Sequence, residues 1–121
     1  MAGTRVLILV REILGASLIG ALVEGRGHEA VFPIVAERAE LSISRTRPAA
    51  VVVEGHHPAT RSDAFFSTAA GLGCAVILFV PGPPWEDIVR IARERDVAAF
   101  VHPEPGESLA DLLAAALGRV G

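Results

Sequence analysis

The sequence predicts a doubly wound α/β domain, a parallel sheet with helices on both faces. Three observations predict it. Short aliphatic runs recur five times, at Arg5–Val10, Glu29–Phe32, Ala49–Glu54, Ala75–Val80 and Ala98–His102. Stretches of helical length follow each run, giving five strands and five helices in strict alternation. Most of the runs are apolar at consecutive positions rather than at every second one. That pattern marks strands buried on both faces, which belong to parallel sheets covered by helices. Right-handed crossovers then distribute the helices over the two faces.

Taken in order, Arg5–Val10 is aliphatic after its first residue. Ile13–Glu24 reads as a helix ended by Gly25 and Gly27, glycine being the residue that accepts the left-handed turn after a helix. Glu29–Phe32 is a short strand stopped by Pro33. Ile34–Arg45 carries Ile34, Val35, Leu41 and Ile43 between charges, an amphipathic helix. Ala49–Glu54, with three valines behind Pro48, is the central strand. Ser62 or Asp63 caps a helix through Ala70, closed by Gly71 and Gly73. Ala75–Val80 is the fourth strand, and Pro81-Gly82-Pro83-Pro84 turns the chain. Trp85–Arg95 has Glu86 and Asp87 in its first turn and Arg90, Arg93 and Arg95 later, the order the helix dipole favours. Ala98–His102 is the fifth strand and Glu107–Gly118 the last helix.

At 121 residues the chain, 1–121, is one domain with enough apolar material to bury a core without disulfides or metal. An apolar fraction of 51% against 21% charged residues excludes a disordered chain. The net charge is −3 and the basic residues are scattered, so neither nucleic acid nor an anionic membrane is an expected partner. Cys74 is the only cysteine, which rules out an internal disulfide and points to a reducing, cytoplasmic location. No secretory signal is expected, because Arg11-Glu12 interrupts the apolar run Val6–Val10. The following run, Ile13–Val23, is 11 residues, too short to span a bilayer. All 11 basic residues are arginines; there is no lysine.

In open parallel sheets, chemistry sits beyond the carboxyl ends of the strands. Glu54 ends the central strand and is followed by Gly55-His56-His57-Pro58. This is where function is expected.

Several segments resemble one known family, in order and over the whole chain. Arg5–Val10 resembles its first strand, and Glu24-Gly25-Arg26-Gly27-His28-Glu29 its turn into the second. Arg47-Pro48 followed by Val51–Val53 resembles its "RPDLVLLD" segment. Glu86-Asp87-Ile88-Val89-Arg90 resembles its fourth helix, and Ala98-Ala99-Phe100-Val101-His102-Pro103 its "DDYLVKP" ending. The family is the CheY-like receiver domain of two-component response regulators. The resemblance implies a flavodoxin-like sheet of order 2-1-3-4-5 and a role in signal transduction, often ahead of an effector domain.

It also implies where the functional residues should be. Receivers hold Mg²⁺ with an acidic pair at the end of strand one; the matching positions are Val10 and Arg11. The phosphorylated aspartate falls on Glu54, the Thr/Ser ending strand four on Val80, and the lysine before Pro103 on His102. The aromatic switch position falls on Ala99, beside Phe100. Magnesium needs several hard oxygen ligands, and phosphoryl transfer needs the metal and the lysine to neutralise charge. The resemblance therefore implies a degenerate receiver, a pseudo-receiver, that is not phosphorylated, holds no metal or cofactor and is no enzyme. Its pocket would comprise Val10, Arg11, Glu12, His56, Val80 and His102 around Glu54, which would act as a fixed mimic of the phosphorylated state. Arg11 is expected to pair with Glu54 in place of the metal's charge.

Other readings of the same residues are weaker. His56, His57 and His102 near Glu54 are the types that bind Zn²⁺, or that titrate near neutrality in a His102–Glu54 contact. Ser62, Cys74 and the histidines supply hydrolase residue types without a nucleophile elbow. Gly71-Leu72-Gly73 and the Pro81–Pro84 turn are a helix end and a tight turn rather than phosphate loops. A second functional class is a sensor binding a small, anionic molecule in the cleft around Arg11, Glu54, His56 and His102.

The first and last helices lack the polar stripe of a surface helix. Ile13, Leu14, Leu18 and Leu22 on the first, with Leu109, Leu112, Leu113 and Leu117 on the last, are the expected interface of a homodimer or a partner protein. The small residues Gly15, Ala16, Gly20 and Ala114–Ala116 would let another helix approach closely.

Overall fold

A computed structural model of the chain describes residues 4–83 and 85–120. Its strands are β1 (Arg5–Leu9), β2 (Glu29–Val31), β3 (Ala50–Glu54), β4 (Ala75–Phe79) and β5 (Ala99–Val101). Its helices are α1 (Ile13–Gly25), α2 (Ala39–Thr46), α3 (Asp63–Gly71), α4 (Glu86–Glu94) and α5 (Leu109–Gly118), with a 3₁₀ turn at Pro58–Arg61. The strands form one parallel sheet in the order β2-β1-β3-β4-β5, as the resemblance implies.

Side chains of successive strand residues point to opposite faces, so each buried strand feeds two cores. Leu7, Leu9, Val51, Val53, Val76 and Leu78 pack with Ile43 of α2, Phe65 of α3 and Ile88 of α4. Val6, Ile8, Ala50, Val52, Ile77 and Phe79 pack with Ile19 and Val23 of α1 and Leu113 and Leu117 of α5. Ala50–Val53 has no accessible surface, which explains why the central run is apolar at consecutive positions. The register sets Leu9 opposite Val53, Glu54 opposite Phe79, and Phe79 opposite Val101. The residues that follow, Val10, Gly55, Val80 and His102, therefore leave the sheet along one edge.

The second helix is the main departure. It begins at Ala39, not Ile34. Ala36 has φ +65°, a conformation no α-helix contains. A polar brace holds the segment before the helix: Glu37 accepts the Ile34 N–H at 3.1 Å and the Ser42 hydroxyl at 2.5 Å, and pairs with Arg45 at 2.8 Å. Arg45 also donates to the Phe32 carbonyl at 3.1 Å. Of the four residues expected on a buried face, only Ile43 is buried; Ile34, Val35 and Leu41 are exposed.

The other differences are at element ends. Val10, Phe32, Ala49, Val80, Ala98 and His102 lie just outside their strands. The last helix starts at Leu109, because Ser108 caps it by accepting the Asp111 N–H at 3.2 Å. Ser62 rather than Asp63 caps α3, accepting the Phe65 N–H at 3.2 Å. Gly27 (φ +85°) and Gly73 (φ +67°) take the left-handed turns after α1 and α3, while Gly25 and Gly71 remain helical. Pro84 of the expected turn lies outside the described residues. No helix of the described residues is long and apolar enough to cross a membrane.

Candidate functional site: the carboxyl edge of the sheet

Glu54 is half-buried at the end of β3. The chain turns sharply after it. The Gly55 N–H donates to the Phe79 carbonyl at 2.8 Å, and the Gly55 carbonyl accepts from Thr60 Oγ1 at 3.0 Å and Arg61 Nη1 at 2.8 Å. A Cβ on Gly55 would lie 3.1 Å from Cδ1 and 3.2 Å from Cγ2 of Ile88, and 3.3 Å from Val80 Cγ2. The turn after Glu54 thus has no room for a side chain beneath α4. Arg61 also donates to Asp87 on α4.

His57 begins the 3₁₀ turn. Its Nδ1 accepts the Ala59 N–H at 3.0 Å and so carries no proton. Burial lowers the His57 pKa, and the positive charge of Arg11 lowers it further against an opposing pull from Glu54. The ring is thus kept neutral, with its proton on Nε2. His57 feels the charges of both Arg11 and Glu54, but the expected Arg11–Glu54 ion pair is not formed among the described residues. Arg11 is exposed and Glu54 half-buried. Water at an open edge solvates both, and a pair in that setting is worth only about 0–1 kcal/mol.

The remaining predicted residues do not converge. Glu12 is taken up by α1, its Oε2 accepting the Gly15 N–H at 2.6 Å. Val10 is half-buried against the start of that helix. His56 is exposed. His102 Nδ1 lies 3.0 Å from the Val80 carbonyl; a carbonyl only accepts, so Nδ1 carries the proton and the ring is tied to the residue that follows β4. The expected His102–Glu54 contact is absent among the described residues. Ala99 is buried and Phe100 partly exposed, its ring 6.2 Å from that of His102.

The donor set at this edge does not fit a divalent cation. Val10 and Arg11 stand at the positions where Mg²⁺ would need oxygens, and the Glu12 carboxylate is engaged by the Gly15 N–H, which leaves Glu54. The zinc reading fails on the same geometry: among the described residues no three His, Cys, Asp or Glu side chains are placed to share an ion. The hydrolase types are also dispersed. Cys74 is buried at the opposite end of β4, its thiol pushed up to about 12 by burial, and the Ser62 hydroxyl caps α3.

Thr60 and Arg61, and the pairing of Arg61 with Asp87, carry no local signal in the sequence. Arg61 reads there as one of eleven scattered cations, and nothing local pairs it with a residue 26 positions on.

Comparison with solved structures identifies the fold. HP1043, an orphan response regulator of H. pylori, superposes with a TM-score of 0.76 at 16% identity, covering 100% of both chains. A CheY-like receiver domain from Methanospirillum hungatei gives 0.76 at 13% identity, over 98% of this chain and 94% of that one. A DNA-binding response regulator of the LuxR family from Staphylococcus aureus gives 0.74 at 15% identity, over 98% and 99%. The fold is that of a response regulator receiver domain. No family model and no curated protein matches the sequence itself.

On this receiver fold α1 and α5 cover the same face of the sheet, with Arg26 and Asp111 3.7 Å apart between them. Ile13, Leu14 and Leu18 are exposed, Ile13 by 80% and Leu14 by 78%. Leu22, Leu109 and Leu112 are half-buried. Leu113 and Leu117 are not surface residues. Both face the sheet and belong to the core, which corrects their assignment to an interface. Gly20 is likewise occupied from within: a Cβ there would lie 2.9 Å from the Phe32 ring, so its small size admits Phe32 rather than another helix.

Proposed function

We propose that this chain is a receiver-like domain of a two-component-type regulator, cytoplasmic, whose output is delivered by protein–protein contact and does not depend on phosphorylation. One observation carries the reading. The edge where a receiver would gather a metal and a phosphoryl group offers Val10 and Arg11 and the carboxylate of Glu54, that of Glu12 being taken up by the cap of α1, in a chain without lysine. Phosphoryl transfer is catalysed by positioning and by neutralising the charge on the transferred group. Val10, Val80 and His102 supply neither. In this reading Glu54 stands as a fixed mimic of the phosphorylated state, and the domain has no catalytic role of its own.

The test is to add beryllofluoride or acetyl phosphate with Mg²⁺ and follow backbone amide NMR shifts and intact mass. No change at residues 52–57 and no added phosphoryl mass are expected. A specific response at Glu54 that Glu54→Gln abolishes would overturn the reading.

The contact surface in this proposal is α1, through exposed Ile13, Leu14 and Leu18, bordered by half-buried Leu22, Leu109 and Leu112. It serves a homodimer or a partner protein. The second reading, a sensor of a small anion in the cleft around Arg11, Glu54, His56 and His102, draws support from the charges of Arg11 and Glu54 both acting on His57; a groove of about 420 Å³ lined by Glu37, Arg38, Glu40, His57, Pro58 and Ser62 among others holds none of those four residues. Thermal stabilisation by a member of a metabolite panel, lost in Arg11→Ala, would favour it over the first.

A further inference from the structure

Helix α4 is held differently from the other helices. Only Ile88 of its nine residues is buried, against three of nine in α3 and four of eight in α2. Its N-cap residue, Trp85, makes no side-chain capping hydrogen bond, a lack it shares with α2. A groove of about 230 Å³, lined by Thr60, Arg61, Asp87, Arg90, Ile91 and Glu94 among others, separates part of α4 from the 3₁₀ turn. Ile91 and Ala92 add only partly buried contacts with the same core, so apolar packing alone anchors α4 weakly, and helical stability comes mostly from packing of an apolar face.

Two arginine–aspartate bridges anchor its ends. In the first turn, Asp87 accepts from Arg61, whose other terminal nitrogen donates to the Gly55 carbonyl at 2.8 Å. At the far end, the cap residue Arg95 donates to Asp63 in the first turn of α3, its guanidinium 4.8 Å over the Phe66 ring. The bridges are crossed in sign. At one end α4 brings the anion, and at the other the residue closing it brings the cation. A slide of α4 by one turn would set Arg90 against Arg61, which like charges oppose.

We propose that these crossed bridges form an electrostatic latch that docks α4 on the Glu54–Gly55 turn, so that ionic strength releases α4 locally while the rest of the fold stays closed. Arg61 is the positioning residue, since its guanidinium hydrogen-bonds both the Gly55 carbonyl of the turn and Asp87 of α4. Both bridges are partly solvent-exposed and so open to screening; the Debye length falls from about 10 Å at 0.1 M salt to about 3 Å at 1 M. Helices with few buried contacts are also those that open first.

Hydrogen exchange read by mass spectrometry on the full chain tests the latch, in low salt and in about 1 M NaCl. Amides of 86–94 are expected to exchange about threefold faster in Asp87→Asn and in Asp63→Asn, the scale of a half-exposed pair. They should respond similarly to salt in the unaltered protein. The double variant should lose the salt response and Asp87→Glu should keep it, while amides of β3 and α5 stay unchanged throughout. Exchange in α4 that ignores both substitutions would overturn the proposal. So would a salt response that persists in the double variant, or one that rises equally in α5.

Discussion

Gly55 is a glycine because of what lies above it. Its φ is not left-handed, so the requirement is space: Ile88 and Val80 would press on a Cβ from three atoms at 3.1–3.3 Å. All of them belong to buried side chains with little room to yield. Gly55→Ala is expected to destabilise the fold by about 1–3 kcal/mol, the usual cost of overpacking a filled site. Gly71, in the last turn of α3, meets nothing within 4 Å. Gly71→Ala should stabilise by about 0.5–1 kcal/mol. Urea denaturation of the two variants reads opposite signs if steric room, rather than glycine's flexibility, decides. Which glycine needs to be one cannot be read from the sequence, where both sit beside an apolar run. The difference lies in an isoleucine 33 residues away from Gly55.

Two elements carry their own dependence on pH. The segment before α2 is held by Glu37, whose pKa is lowered to about 2, first by its hydrogen bond from Arg45 and then by that from Ser42. A carboxylate lowered in the folded state contributes stability that is complete above its ordinary 4.5 and is lost as pH falls toward 2. The 3₁₀ turn is capped by His57, and here the shift is that of a base. The folded state binds the proton less readily than the unfolded chain, whose histidine titrates near 6.5. Stability from this group is therefore complete above about 6.5, declines as pH falls below it, and levels off once the folded state also protonates. Protonating Nδ1 would break its bond from the Ala59 N–H, the local event behind the loss. Denaturation midpoints between pH 7.5 and 5 should fall, and His57→Asn, which keeps a capping oxygen, should flatten that part of the curve. An unchanged slope in the variant would assign the dependence elsewhere. The His57 cap was hidden in the sequence behind two adjacent histidines that read as a pair. The brace was hidden by Ile34 and Val35, whose spacing from Leu41 and Ile43 imitates a helix face.

At the scale of the molecule, one sheet separates two cores, and burial sorts the leucines of α1 and α5 that look alike in sequence. Leu113 is 2% exposed and Leu14 78%. Leu113→Ala should cost about 2–5 kcal/mol of stability, whereas Leu14→Glu should change stability by no more than about 0.5 kcal/mol. The second substitution bears instead on association. If α1 forms the proposed contact between copies, light scattering at high concentration should show a dimer that Leu14→Glu converts to a monomer. A monomer before substitution would leave the surface to a different partner protein.

The amino-acid sequence by itself determined the class of fold, the order of its elements and the poverty of its carboxyl edge. Runs of aliphatic residues, glycine stops and the identities of Val10, Arg11 and Glu54 are local properties, and hydrophobic burial acts on them wherever the chain folds. Tertiary structure decided which polar groups meet. It turned His102 to the Val80 carbonyl, Glu12 into the cap of α1, Arg61 to Asp87 and Phe32 onto Gly20. Such contacts depend on distances of a few tenths of an ångström between residues far apart in the chain, and on whether water or a neighbour satisfies each charge. Periodicity carries no record of either.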